Sequence, residues 1–195
     1  KEYDNIYPVW DWTRIPGTTA IGNQDKTSLE GYQIGNNEFG GGVSDGVNGI
    51  IAYKGKYNEL QANKAYFFFD NMMFCIGSDI SYVQNDNVLT SVEQNLLNGE
   101  VIYNDGQEKQ LSSNSNMQLK QLKWVYHNNT GYIFRGTDNV TIQNMSQAGS
   151  WKDINATGES GLIDKNVFSV WINHGLNPET VSYTHLRAHE TRGNL

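Results

Sequence analysis

The chain has 195 residues and a formal net charge of −7 at pH 7; 37% of its residues are hydrophobic and 12% are aromatic. These values suit one domain with a core of large side chains. The sequence has no apolar run near the roughly 18 residues that a membrane span needs. It also shows no basic patch of the kind that binds nucleic acid. We therefore expect neither a membrane nor a nucleic-acid partner.

Strand-like segments separated by turn signals run through the chain. Residues 1–35 read as an extended lead-in, and a Gly-rich stretch follows at residues 36–49, where we expect bulges or tight turns. The dense apolar runs 65–70 and 72–76 predict strands that are buried on both faces. Only residues 59–65 suggest a helical turn.

Two hairpins are predicted by their turns. Residues 100–103 end at Asn104-Asp105-Gly106, and residues 122–127 lead through Asn128-Asn129-Thr130-Gly131 into residues 132–134. Both are typical hairpin connections. Turn signals recur at roughly ten-residue spacing, which predicts a single all-β domain of antiparallel strands, either a sandwich or a barrel.

The two ends of the chain differ from the rest. The sequence begins at Lys1 without a signal peptide and enters structure almost at once, so we expect further chain upstream. Residues 182–195 show no strand-like alternation and resemble a translated sequencing adapter. We therefore divide the chain into a domain, residues 1–181, and a non-native tail, residues 182–195. Alternatively, His185 and His189 have the i, i+4 spacing of two metal ligands on a helix, but the sequence shows no evident third ligand.

Four strings, in this order and spacing, resemble polysaccharide lyase family eight, the chondroitin AC, hyaluronate and xanthan lyases, with the chondroitin AC type closest. The resemblance covers about residues 5 to 181. The strings are residues 7–19, residues 39–46, residues 62–70 with Ile76-Gly77, and residues 171–175 with Pro178.

This resemblance implies a fold and an activity. The fold is a large antiparallel supersandwich of the galactose-mutarotase type, here its first part, truncated at both ends. An upstream helical toroid would carry the catalytic Asn, His, Tyr and Arg, so we assign no catalytic residue to this chain and expect it to be inactive alone. Relatives are secreted or periplasmic bacterial enzymes that cleave uronate-containing polysaccharides by β-elimination. Which polysaccharide is cleaved does not follow from this chain.

The resemblance also implies that the sandwich borders the substrate cleft with one supporting acidic side chain. Gln33 stands where relatives carry that Glu, so the role is absent here or passes to Glu30 or Glu38. Gln33, Asn36, Asn37 and Glu38 are the candidate substrate-binding residues, because their side chains can hydrogen-bond sugar hydroxyls. An ordinary turn explains the same residues equally well.

Other residues have a simpler interpretation. Trp10 and Trp12 can stack on sugars, but core packing is favoured. His127 and His174 are expected to serve as caps or turn donors. Cys75, the single cysteine, is predicted to be a small, buried, apolar residue of the core.

No cofactor is expected. Some relatives bind Ca²⁺, but the acidic residues here are too scattered to define a metal site. The alternative functions are a stand-alone, non-catalytic carbohydrate-binding β-sandwich and a purely structural β domain.

Overall fold

The structure, a computed structural model, describes residues 6–22, 36–137 and 139–189. The described residues form fourteen strands, a 3₁₀ turn at Tyr7–Val9 and one short helix, α1, at Trp151–Ile154. The strands are β1 (Thr19–Ile21), β2 (Phe39–Ser44), β3 (Gly49–Tyr57), β4 (Leu60–Phe69), β5 (Met72–Ser81), β6 (Asn87–Leu96), β7 (Ile102–Asn104), β8 (Glu108–Gln110), β9 (Ser115–Leu119), β10 (Trp124–His127), β11 (Thr130–Phe134), β12 (Val140–Gly149), β13 (Ile163–Leu176) and β14 (Val181–His189).

The strands make two antiparallel sheets. One sheet has five strands in the order β1-β6-β13-β12-β9. The other has nine strands in the order β2-β3-β4-β5-β14-β11-β10-β7-β8. The predicted all-β antiparallel sandwich is therefore confirmed.

The core lies between the two sheets. Phe168, Ile142 and Ile172 project from the five-stranded sheet, and Tyr132 and Val125 project from the nine-stranded sheet; all five are almost fully buried in one cluster. Because side chains alternate along a strand, every second residue reaches this cluster. We call the side of each sheet that faces this core its inner face and the other side its outer face.

The lead-in packs on the outer face of the five-stranded sheet. Ile6 and Val9 form a second small core with Val167 of β13. The side chain of Gln94 in β6 fixes the following loop, accepting from the Asp11 N–H at 2.7 Å and donating to the Arg14 carbonyl at 3.1 Å. These contacts hold the first described residues against the sandwich.

The predicted extended lead-in is wrong in its described part. The chain instead makes the 3₁₀ turn Tyr7–Val9 before β1 begins at Thr19. Pro8 lies at the start of this turn, where its fixed φ is favourable and its missing N–H is not needed.

The dense apolar runs are not buried on both faces as predicted. They form the β4–β5 hairpin, whose inner face meets the core while its outer face is largely uncovered. Cross-strand neighbours extend this outer face into one apolar row of partly exposed side chains. The row is Ile50, Phe67, Phe74, Leu186 and Ile133.

Hairpin predictions from turn chemistry are confirmed, whereas the helical turn is wrong. β7 pairs with β8, and β10 pairs with β11 through Asn128 and Asn129, both at positive φ. Residues 60–65 belong to β4, where Leu60 and Lys64 both point inward, and Glu59 lies in the turn before this strand. A lysine at an inward position hides the two-residue period of this strand.

The expectation that residues 182–195 lack strand character is wrong for residues 182–189. They form most of β14, which pairs with β5 on one side and with β11 on the other. Tyr183 and His185 point inward and are 4% exposed each. Polar residues on the inner face conceal the alternation. The origin of the segment stays a prediction, and residues 190–195 lie outside the described part.

Candidate functional site

The predicted binding residues lie at an edge of the nine-stranded sheet. Asn36, Asn37 and Glu38 are exposed and lead into β2, the edge strand. The Asn36 N–H donates to the Lys56 carbonyl of β3 at 2.9 Å, which fixes the backbone just before the strand. Gln33 and Glu30 lie outside the described residues, so their contacts with this edge stay predictions. We call residues 36–38 the edge segment.

Polar side chains continue from the edge segment across the outer face. Phe39 pairs with Lys54, and Lys54 pairs with Asn63 on the next strand. Lys54 and Lys56 are two residues apart on β3, so both project from the same face, and both are exposed. The Asn63 amide donates to the Asp79 carboxylate at 2.7 Å. The outer face is thus polar beside the edge segment and apolar toward the opposite end of β3.

The Gly-rich stretch forms the β2–β3 hairpin and satisfies its own turn. The Asp45 carboxylate accepts from the N–H groups of Asn48 and Val47 at 2.6 and 2.9 Å, which lowers the pKa of Asp45. The Gly46 N–H donates to the Ser44 hydroxyl at 3.0 Å. These amides are occupied within the turn, so the loop does not present them to a phosphate.

An open depression of about 480 Å³ lies beside this turn, lined by residues that include Val43, Val47, Ile51 and Phe68. The turn and the edge segment are at opposite ends of the β2–β3 hairpin, separated by the six residues of β2, about 20 Å of strand. Asn36, Asn37 and Glu38 therefore do not line the depression.

Both histidines outside residues 182–195 have structural partners. His127 is 2% exposed, accepts from the Asn98 N–H through Nε2 at 3.0 Å and packs on Phe168. His174 Nε2 lies 2.7 Å from the Thr90 hydroxyl. Burial lowers the pKa of each to about 4. Two separate, neutral imidazoles with structural partners do not form an acid–base pair.

A buried polar cluster near the inner face of β4 was missed by sequence reasoning. Lys64 is 3% exposed, and its ammonium donates to the Tyr183 hydroxyl at 2.6 Å. Burial lowers the pKa of Lys64 to about 7. Among the described residues, no carboxylate forms an ion pair with it. The only sequence feature that pointed to a buried Lys64 was its two-residue spacing from Leu60 and Ala62, which point inward.

A second buried polar group joins strands of the two sheets. Glu93 of β6 accepts from the Tyr132 hydroxyl and pairs with Arg187 at 3.3 Å. Burial, and next the charge of Glu93, raise the pKa of Tyr132 well above its usual value. A carboxylate held in this way is a fixed acceptor within the core.

The tryptophans of the lead-in pack on one another. The Trp10 and Trp12 rings are 5.2 Å apart, and Tyr7 lies 5.6 Å from Trp12 and 6.4 Å from Trp151. Trp12 Nε1 donates to the Tyr7 carbonyl. The favoured core-packing interpretation fits this cluster better than an open stacking platform.

Cys75 is buried at 2% exposure, and burial raises the pKa of its thiol to about 11. Across residues 6–22, 36–137 and 139–189, no three His, Cys, Asp or Glu side chains gather as metal ligands would. In the same part of the chain, no helix has the length and hydrophobicity to cross a membrane.

Two stacked antiparallel sheets with a polar edge segment place this chain in the class of large β-sandwich proteins. The chain belongs to polysaccharide lyase family 8: its residues 1–191 match the description "Polysaccharide lyase family 8, super-sandwich domain". The resemblance drawn from the four sequence strings is therefore confirmed.

Individual relatives agree with this assignment. Chondroitinase-AC of Pedobacter heparinus is 39% identical over 188 residues, covering 95% of this chain and 27% of that protein. A hyaluronate lyase of Thermasporomyces composti is 24% identical, covering 94% of this chain and 24% of that protein. A solved chondroitinase AC lyase superimposes with a TM-score of 0.84 at 35% identity, over 99% of this chain and 29% of that one. The chain thus spans about a quarter of the length of the relatives it matches.

Proposed function

We propose that this chain is part of a polysaccharide lyase that cleaves a uronate-containing polysaccharide of the chondroitin or hyaluronan type. The observation that carries the proposal is the 39% identity to a chondroitinase-AC across 95% of the chain. In such a β-elimination a base removes the C5 proton of the uronate and the C4–O bond breaks. The leaving oxygen is protonated, and a C4=C5 double bond forms.

The proton-transfer groups belong, in this proposal, to a helical domain elsewhere in the full-length protein. His127 and His174 are neutral and held by structural partners, which supports a non-catalytic role for this part. We therefore expect the isolated chain to lack lyase activity. Secretion or a periplasmic location accompanies the proposal, because the substrate is a polymer outside the cell.

The edge segment is the part of this chain that we assign to the substrate. Asn36 and Asn37 offer amide donors and acceptors at an exposed edge, and Glu38 offers a carboxylate. Gln33 lies outside the described residues and stays a predicted substrate-binding residue. The backbone bond from Asn36 to Lys56 holds the segment against β3, which supports a fixed position for these groups.

The test is a lyase assay on the full-length protein that contains this sequence. Chondroitin, hyaluronan and a neutral polysaccharide are offered in turn, and the ultraviolet absorbance of the unsaturated uronate is followed. Activity on at least one uronate polymer, with none on the neutral polymer, is the expected result.

The alternative, a non-catalytic carbohydrate-binding sandwich, predicts a different result. Oligosaccharide binding without any unsaturated product would favour that alternative over the lyase. Neither binding nor product would leave a structural domain and contradict both functions.

A further inference from the structure

Two lysines beside the edge segment carry an inference about how an acidic polymer is held. Lys54 and Lys56 project from the outer face of β3 and are exposed. Their Cα atoms are two residues apart, about 7 Å along the strand. Neither ammonium forms an ion pair with any described residue. Within the described part of the chain, they therefore present two positive charges close together that no carboxylate pairs with.

The surroundings of this lysine pair suit a sugar chain. Phe39 is paired with Lys54 across the strands and is 53% exposed, so its ring offers an apolar surface for sugar C–H groups. On its other side, Lys54 has Asn63 of β4 as its cross-strand neighbour. The side-chain amide of Asn63 already donates a hydrogen bond to the Asp79 carboxylate. Asn36 joins this surface through its backbone bond to Lys56.

The charge of the whole chain makes this surface distinctive. The chain carries 21 acidic and 14 basic residues, so its average surface repels an anionic polymer. Among the described residues, Glu38 lies in the edge segment, Asp79 is engaged by Asn63, and Glu59, in the turn after β3, is engaged by Gln84. None of these carboxylates forms an ion pair with the two lysines, which leaves the ammonium groups available to an anion.

We propose that Lys54 and Lys56 form an anion-binding surface that holds the carboxylate or sulfate groups of an acidic polysaccharide along the outer face of β3. The surface rests on the proposed function and names the groups that recognise the charge of the substrate. The amides of the edge segment contact the hydroxyls of the same sugar chain. The lysines bind and position the polymer and take no part in proton transfer.

The experiment compares two double substitutions in the full-length protein. Lys54→Gln with Lys56→Gln removes both charges of the proposed surface. Lys120→Gln with Lys123→Gln makes the same charge change at two exposed lysines beside β10, five strands away from β3 in the sheet. Anisotropy of a labelled chondroitin hexasaccharide, recorded before measurable turnover, gives the Kd. Steady-state assays give KM and kcat, and thermal melts confirm that every variant is folded.

The expected result is a Kd and a KM that are about tenfold higher for the first variant at low salt, with kcat unchanged. The difference shrinks as salt is added, because exposed charges are screened. Lys54→Arg with Lys56→Arg restores binding. The control variant stays within about twofold of the original protein.

Failure of this proposal and failure of the proposed function look different. Equal Kd values for the two glutamine variants, with an active original protein, overturn the lysine surface alone. Binding that depends on Lys54 and Lys56 without any product supports the surface and overturns the lyase. An original protein that neither binds nor cleaves the hexasaccharide overturns both.

Discussion

The middle of the nine-stranded sheet and its β2–β3 hairpin belong to one sheet but lie in different environments. Tyr132 of β11 is 2% exposed and packs near Phe168 of the facing sheet. Val43 and Val47 of the hairpin are 70% and 78% exposed. Packing between sheets holds the middle strands, whereas backbone pairing and turn chemistry hold the hairpin. Substitutions in the first region should therefore change stability most, and substitutions in the second should change binding.

Phe168→Ala is expected to have the largest effect on stability. The side chain is fully buried between the sheets and packs on His127 with ring centroids 4.6 Å apart. Its removal leaves a cavity that its neighbours fill only in part, so the free energy of unfolding should fall by about 4 kcal/mol. Urea unfolding followed by tryptophan fluorescence measures the change.

Phe39→Ala is the matched control on the hairpin. The same atoms are removed from a side chain that is 53% exposed, and the loss should stay below about 1 kcal/mol. Similar losses for the two variants would show that the hairpin is packed as tightly as the middle of the sheet, and the comparison would be wrong.

Lys64 is expected to make stability depend on pH. Burial lowers its pKa from 10.5 to about 7 in the folded protein. Between these values the unfolded chain binds a proton that the folded chain does not, so stability rises as pH increases through this range. From pH 7 to 8.5, below the titration of Cys75, the gain should be about 1 to 2 kcal/mol. Lys64→Met should abolish this increase.

The control for this pH dependence is Lys54→Met on the exposed face of the hairpin. It should leave the slope of stability against pH unchanged, because its side chain lies in solvent and not in the core. An unchanged slope in Lys64→Met would mean that another group titrates in this range and that Lys64 is not the cause.

Gly46→Ala tests the hairpin turn and should have the smallest effect of the three. Gly46 has a φ of +93°, while a Cβ at this position meets no atom within 4 Å. Only the backbone conformation opposes the substitution, so a loss of about 1 kcal/mol is expected. Gly161→Ala, in equally open space but without a positive φ, should be near neutral. Thermal melts of both variants decide whether conformation or contact holds the turn.

Local chemistry explains which parts of the fold were predictable. The turns at Asn104-Asp105-Gly106 and Asn128-Asn129 define their hairpins within a few residues, so both hairpins followed from the sequence. The order of strands did not follow, because β14 lies between β5 and β11 through contacts that no local pattern encodes. The inner polar residues Lys64 and Tyr183 also made their strands hard to predict. A half-buried strand is normally recognised by apolar residues that alternate with polar ones, and here polar residues occupy inward positions.

The types of residue in the candidate site were predictable, but its location on the fold was only partly so. Asn36, Asn37 and Glu38 were chosen from a resemblance, and the structure puts them on an exposed edge. Lys54 and Lys56 were not singled out, because the face of the sheet that they occupy and their neighbours Phe39 and Asn63 depend on the register between β2, β3 and β4. A lysine on a strand signals nothing until its cross-strand neighbours are known.

The position of β14 has a consequence for folding. Until this strand inserts, the nine-stranded sheet consists of two separate pieces, β2 to β5 and the four strands β11, β10, β7 and β8. Each piece ends in an unpaired edge at β5 or β11, and such edges invite pairing with other molecules. Contacts between strands so distant in sequence form slowly. During synthesis the nine-stranded sheet therefore cannot close before β14 has left the ribosome, and until then the edges at β5 and β11 stay open to pairing with other molecules.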